Sequence, residues 1–226
     1  MAPVLVSTTL VHKIRQPGVS SSPLSPALIL LHGRGTNEDD LLGLLDYLDP
    51  RLFAVSARAP FRFDQSFGGY TWYDVQDVGT PNAQQFDESY KRLIQFMEDV
   101  KRGYPIDKQK IFVLGFSMGS IMSYALALTR PQTVRGIIAH SGYIPENTSL
   151  QFLWDQLQSL SIFTAHGIQD TVIPVSLARR ANDLLSKTSV DLTYKEYPIA
   201  HTISDESLSD LSIWLQKKLD VPQDIR

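Results

Sequence analysis

Ser117 lies between two glycines in Gly115-Phe116-Ser117-Met118-Gly119, where the apolar run 111–115 gives way to a helical pattern over 118–129. A serine on such a strand-to-helix turn is held in a strained backbone conformation with its Oγ lifted clear. Glycines at the flanking positions avoid collisions with the strand and the helix. A hydroxyl so placed suits attack on a carbonyl carbon, provided that a base takes its proton. The Met118 N–H, opening the helix, can meet the negative charge that develops on the carbonyl oxygen.

The base must come from His12, His32, His140, His166 or His201. On a sheet carrying this kind of turn, an acid and then a histidine follow the serine in chain order, on loops beyond later strands. His12 and His32 precede Ser117 and are excluded as the base. His140 and His166 fall within or at the ends of apolar runs and read as histidines bonded to nearby backbone. His201 follows a strand pattern ending at Tyr197, in "PIAH", and is the base this order selects. Asp170, in "AHGIQDTVIP" (165–174), sits just past a strand end, where a carboxylate can orient His201 and stabilise its imidazolium. Standing alone it would read as a turn or capping aspartate. Asp155, Asp183 and Glu196 lie in or beside helical or strand patterns and read as solvated charges. In "LLHGRGTNEDD", Gly33 and Gly35 let the chain turn back, so the backbone N–H of Arg34 is the expected second donor to an oxyanion; His32 and the Arg34 guanidinium read as structural or solvent-facing. The stretch 61–73, "FRFDQSFGGYTWY", is a glycine-broken aromatic loop. From it Phe67, Trp72 and Tyr73 are expected to touch substrate in an apolar acyl pocket, the alternative being that its aromatics pin a long loop to the core.

These residues need a scaffold that gathers strand ends. Short apolar or alternating runs at 27–33, 111–115, 133–142, 160–167 and 189–197 read as strands, and the alternation of Val4, Val6 and Thr8 as a first strand. Thr80 and Pro81 open a helical pattern with Phe86, Tyr90, Leu93 and Met97 on one face and Gly103 as its stop. Asn37 and three acids open another over 37–48, and 204–219, with Asp205 and Glu206 first and Lys217 and Lys218 last, closes the domain. A helix is expected near Pro174. The segment 144–160 is long enough for a short helix and too short for a substantial cap domain, and 17–26 reads as a surface loop. Strands alternating with helices imply right-handed βαβ units and an α/β fold: a mostly parallel, doubly wound sheet flanked by helices, with ligands at the carboxyl ends of its strands.

The chain has 226 residues, 43% of them hydrophobic, enough for a single domain over 1–226. With 21 basic against 24 acidic residues it has no broad cationic surface, so nucleic acid is not an expected partner. The absence of cysteine excludes disulfides, thiolate metal sites and a cysteine nucleophile, and the pattern calls for no metal or cofactor. The opening residues lack the charged-then-apolar pattern of a signal peptide and no run is apolar enough to span a bilayer, which predicts a soluble, cytoplasmic protein without stable membrane insertion, monomeric or homodimeric. The sequon Asn147-Thr148-Ser149 then reads as an ordinary polar loop.

Taken in order, "LHGRGTNEDDL", "GFSMGS", "HGIQDTVIP" and "IAHTIS" resemble the oxyanion, elbow, acid and histidine segments of the phospholipase/carboxylesterase group of α/β-hydrolases, which includes lysophospholipases and acyl-protein thioesterases. "SARAPF" and "GGYTWYD" resemble bacterial carboxylesterase versions of the segment between, and the likeness runs from about Pro26 to Leu219. The resemblance implies an α/β-hydrolase fold and a serine esterase that cleaves short to medium acyl esters or lysolipids through an acyl-enzyme on Ser117. Many thioesterase-like members carry glutamine where this chain has Met118. Because the donor there is a backbone N–H, the oxyanion hole is retained, while a thioesterase assignment is weakened. An acyl-protein thioesterase and a non-catalytic binding protein on the same scaffold stand as alternatives; the latter usually lacks a triad member, and here all three are present.

Overall fold

A computed structural model of the chain describes residues 5–19, 22–64 and 68–220. In chain order its elements are β1 (His12–Arg15), β2 (Ser25–Leu31), β3 (Phe53–Ala57), the hairpin strands β4 (Phe61–Arg62) and β5 (Tyr70–Thr71), a second pair β6 (Val75–Asp77) and β7 (Thr80–Pro81), α1 (Ala83–Gly103), β8 (Ile106–Phe116), α2 (Met118–Thr129), β9 (Gly136–His140), β10 (Ser161–Gly167), α3 (Val175–Leu185), β11 (Asp191–Tyr197) and α4 (Asp205–Asp220). Seven strands make one sheet in the order β1-β3-β2-β8-β9-β10-β11, parallel throughout except for the antiparallel edge pair β1–β3.

The apolar strands are continuous in hydrophobicity because both faces of the sheet are covered. Along β2, Ala27, Ile29 and Leu31 join one core with Phe86, Leu93 and Met97 of α1 and Ile121 and Met122 of α2. Leu28 and Leu30 point the other way, into a second core with Leu211, Trp214 and Leu215 of α4. Residues 118–128 of α2 are all buried, which explains why that helix is built from small and apolar side chains without an amphipathic stripe. In α4, Ser204 and Ser207 cap reciprocally: the Ser207 N–H donates to Ser204 Oγ (3.2 Å) and the Ser204 N–H to Ser207 Oγ (3.0 Å).

Parallel register brings the strand ends level. Leu31 pairs with Gly115, Phe116 with His140, Ala165 with His140 and Gly167 with Tyr197. The turns that follow β2, β8, β10 and β11 therefore emerge along one edge, and these turns carry Arg34, Ser117, Asp170 and His201.

Several local expectations are corrected. Val6 and Thr8 lie in no strand, Val4 lies outside the described residues, and β1 begins at His12. The expected helix over 37–48 is a six-residue 3₁₀ helix, Leu42–Tyr47, and the segment 144–160 holds one 3₁₀ turn at Trp154–Gln156. Thr80 and Pro81 belong to β7, paired with β6; the cap of α1 is Asn82, whose Oδ1 accepts from the Gln85 N–H (3.1 Å). Among the described residues, no helix is long and apolar enough to cross a membrane, and no group of three or more His, Asp or Glu side chains could hold a metal ion.

Candidate active site

Ser117 follows the last residue of β8 and caps α2 with φ 54° and ψ −118°, a left-handed conformation that a β-carbon makes costly. Its surroundings hold it there. The Ser117 N–H donates to the His140 carbonyl (2.9 Å) and its own carbonyl accepts from the Ile121 N–H (3.2 Å). Glycine is required on both sides because a Cβ at Gly115 would overlap the Gly119 carbonyl, and one at Gly119 would overlap the Leu31 carbonyl. The helix therefore starts in contact with β2, and Ser117 Oγ is aimed at the loop after β11. There His201 Nε2 lies 2.9 Å from Oγ, within reach of the hydroxyl proton. His201 Nδ1 donates to Asp170 Oδ2 at 2.6 Å, while Phe116 packs against the imidazole with ring centroids 5.0 Å apart.

Asp170 has no exposed side-chain area, yet its carboxylate is well partnered. Oδ1 accepts from the backbone N–H groups of Val172 (2.9 Å) and Ile173 (2.8 Å), and Oδ2 from His201. His166, four residues earlier, donates from Nε2 to the Ile173 carbonyl (2.8 Å), tying the turn after β10 to the strand itself. Burial depresses the pKa of His166. Burial also pushes His140 down, to about 3, with the neighbouring imidazoles of His166 and His201 adding to the effect. Both rings lie beneath the site as neutral groups. His140 is bonded to side chains, Ser141 Oγ (2.9 Å) and Ser207 Oγ (3.1 Å), where the sequence suggested backbone.

The loop after β2 faces the serine from the other side: a Cβ on Gly33 would be 3.4 Å from Ser117 Cβ. Its orientation follows from one peptide unit. The Gly33 carbonyl lies 2.6 Å from His32 Nδ1 and accepts from Thr36 Oγ1 at 3.1 Å. The other ring nitrogen, Nε2, accepts from the Ala59 N–H (3.0 Å), so Nδ1 carries the proton and is the donor to Gly33. The chain has no cis peptide bond among its described residues, and in a trans peptide the N–H points opposite to the C=O. Clamping the Gly33 carbonyl therefore turns the Arg34 N–H away from His32 and Thr36, and no backbone carbonyl of the described residues accepts it. Met118, the first residue of α2, likewise has no carbonyl one turn earlier in its helix to accept its N–H.

The family profile described as Phospholipase/Carboxylesterase matches residues 17–219. The chain belongs to the phospholipase/carboxylesterase family. A Candida albicans protein named acyl-protein thioesterase 1 is 27% identical over 220 residues, covering 89% of this chain and 95% of that one. The Arabidopsis thaliana carboxylesterase SOBER1 is 27% identical over 161 residues, covering 66% of this chain and 68% of that one. Among solved structures, the Bacillus cereus carboxylesterase superposes with a TM-score of 0.82 at 22% identity, covering 92% of this chain and 94% of that chain, which shows a shared fold.

The C-terminal end of the aromatic loop is turned inward. Trp72 and Tyr73 have no exposed area and sit in the main core, which corrects their assignment as substrate contacts. Trp72 Nε1 donates to the His32 carbonyl (2.9 Å), and its ring lies 5.8 Å from the His32 ring. Tyr73 packs against Phe86 of α1 with centroids 5.1 Å apart. Just before them, Tyr70 exchanges backbone bonds with the oxyanion loop, its carbonyl accepting from the Gly35 N–H (2.9 Å) and its N–H donating to the Thr36 carbonyl (2.8 Å). This segment pins the loop to the core. Phe67 lies outside the described residues. The sequence reading of His166 as bonded to nearby backbone is borne out by the Ile173 carbonyl, whereas the part played by His32 in orienting the Gly33 peptide, and that of Thr36, escaped sequence reasoning. The only signals were the placement of His32 directly before Gly33 and the four-residue spacing of His166 and Asp170.

Proposed function

We propose that this protein is a serine carboxylesterase of the phospholipase/carboxylesterase family, hydrolysing short to medium acyl esters or lysolipids. The observation that carries this reading is the unbroken relay Ser117 Oγ, His201, Asp170, with contacts of 2.9 and 2.6 Å, in a chain of that family. Ser117 Oγ attacks the ester carbonyl as His201 Nε2 takes its proton, and the oxyanion is held by the N–H groups of Arg34 and Met118. Collapse of the tetrahedral intermediate breaks the bond to the alkoxy oxygen, which leaves with the proton from His201. Water then attacks the acyl-serine with the same imidazole as base and releases the carboxylic acid, restoring Ser117. Asp170 keeps Nδ1 protonated and stabilises the imidazolium in both halves.

Replacing Ser117 with alanine is expected to lower kcat on p-nitrophenyl butyrate by roughly 10⁴-fold or more. Full turnover by the purified variant would overturn the reading. The name of the Candida albicans relative supports a second reading, acyl-protein thioesterase, which predicts faster turnover of S-acyl peptides than of oxygen esters with the same chain.

A further inference from the structure

Arg34 supplies its N–H to the proposed oxyanion hole, but its side chain is a separate feature. It is exposed, it follows the glycine packed on Ser117, and no described carboxylate comes within ion-pair distance of it. The acids that follow it in its own loop are otherwise placed. Glu38 pairs with Arg58 and Asp39 with Lys13, and Asp40 Oδ2 lies 3.0 Å from Thr36 Oγ1. The guanidinium is nonetheless not left to swing freely: its central carbon lies 4.6 Å from the centroid of the Phe63 ring. Stacking on an aromatic face orders a guanidinium while leaving its N–H edge open to accept a planar anion in a bidentate fork. The result is an ordered cation with no counter-ion among the described residues, one residue beyond a glycine whose added Cβ would meet Ser117 Cβ at 3.4 Å.

Resting on the esterase reading above, we propose that the Arg34 side chain binds an anionic oxygen group of the substrate, so that the preferred esters carry a carboxylate or phosphate a few atoms from the scissile carbonyl. A guanidinium carried by the residue that supplies an oxyanion donor would assist any ester to some extent. What marks a binding role is discrimination between charged and neutral members of one pair.

The test uses two such pairs on the intact chain. Phenyl hydrogen adipate against phenyl methyl adipate places the charge on the acyl side, and 4-acetoxybenzoate against its methyl ester places it on the alcohol side. For each pair the charged-to-neutral ratio of kcat/KM is measured in wild type and in Arg34→Gln, so that intrinsic reactivity and any general loss of activity cancel. In at least one pair the ratio should fall about ten-fold or more in Arg34→Gln, and Arg34→Lys should retain part of the preference. The pair affected identifies the side on which the anion sits. In wild type the same ratio should shrink when ionic strength rises from 0.05 to 0.5 M, because an exposed contact is screened. Ratios unchanged within two-fold in both pairs, in a variant with wild-type circular dichroism, would overturn the proposal while leaving the esterase reading intact. Failure of wild type to turn over any of the four esters, charged or neutral, would instead remove the esterase reading itself.

Discussion

The clamp on the Gly33 carbonyl makes a quantitative prediction. In His32→Leu the side-chain volume is nearly kept, but two bonds are lost: the donor to Gly33, at 2.6 Å, and the acceptor for the Ala59 N–H, at 3.0 Å. Gly33 keeps its bond from Thr36 Oγ1, whereas Ala59, 1% exposed, is left with a buried and unpaired N–H. An orphaned buried donor costs about 1–3 kcal/mol, which for a chain of this size corresponds to a fall of about 2–12 °C in Tm. The effect on catalysis is larger. Removing an oxyanion donor outright costs about 10²–10³-fold in kcat, and here the donor remains but one of its two restraints is gone. Hydrolysis of p-nitrophenyl butyrate, normalised to active sites titrated to completion with a fluorophosphonate, should drop about 10- to 100-fold in kcat. KM should move little, because the hole binds the transition state more than the ester. Thr36→Val removes the other restraint at a partly exposed site, and should lower kcat about 3- to 10-fold with little loss of stability. If both variants fold and both keep kcat within two-fold of wild type, the orientation argument for the Arg34 N–H is wrong.

Two further outcomes follow from the same packing. Gly119→Ala drives a methyl group into the Leu31 carbonyl and should destabilise the fold by about 3 kcal/mol or more in urea titration, while Gly43→Ala, which meets nothing within 4 Å, should be neutral or mildly stabilising. Acid should unfold the protein through its buried imidazoles. His140, held near 3, and His32 and His166, also lowered by burial, resist protons that the unfolded chain takes up near 6.5. Stability is thus complete above about pH 6.5 and declines as pH falls toward 3, with His140 alone contributing about 1.4 kcal/mol per pH unit across that window. Urea midpoints at pH 7.5, 5.5 and 4.5 should show this decline, and His140→Gln should remove about one proton from the slope; an equal slope in the variant contradicts the assignment.

The parts of the architecture legible in the sequence were those written in periodicity. The run at 27–33 announced a doubly covered strand because both of its faces needed apolar partners, and 204–219 announced α4 through its end charges and single apolar face. What periodicity lacks is knowledge of partners. Thr80 and Pro81 have the chemistry of a helix start, but pairing with Val75 and Asp77 claims them for a hairpin. Trp72 and Tyr73 look alike as pocket lining or core ballast until the depth of the loop is known, because an aromatic ring suits both. For the reactive constellation, chain order and loop placement singled out Ser117, Asp170 and His201, whose polar atoms the fold brings within 2.9 Å of one another in sequence along the relay. His166 was legible as a backbone-bonded histidine, but which groups it and His32 bind was not, because carbonyls and amides are groups that every residue possesses.

One consequence of the strand order concerns robustness. Ser117 rises from β8, which has a strand on either side, whereas His201 is carried past β11, the last strand of the sheet, hydrogen-bonded only to β10. The marginal ribbon of a sheet frays first. A gentle rise in temperature or denaturant would peel the imidazole away while the hydroxyl stayed in position, silencing the enzyme reversibly, ahead of any collapse of the whole.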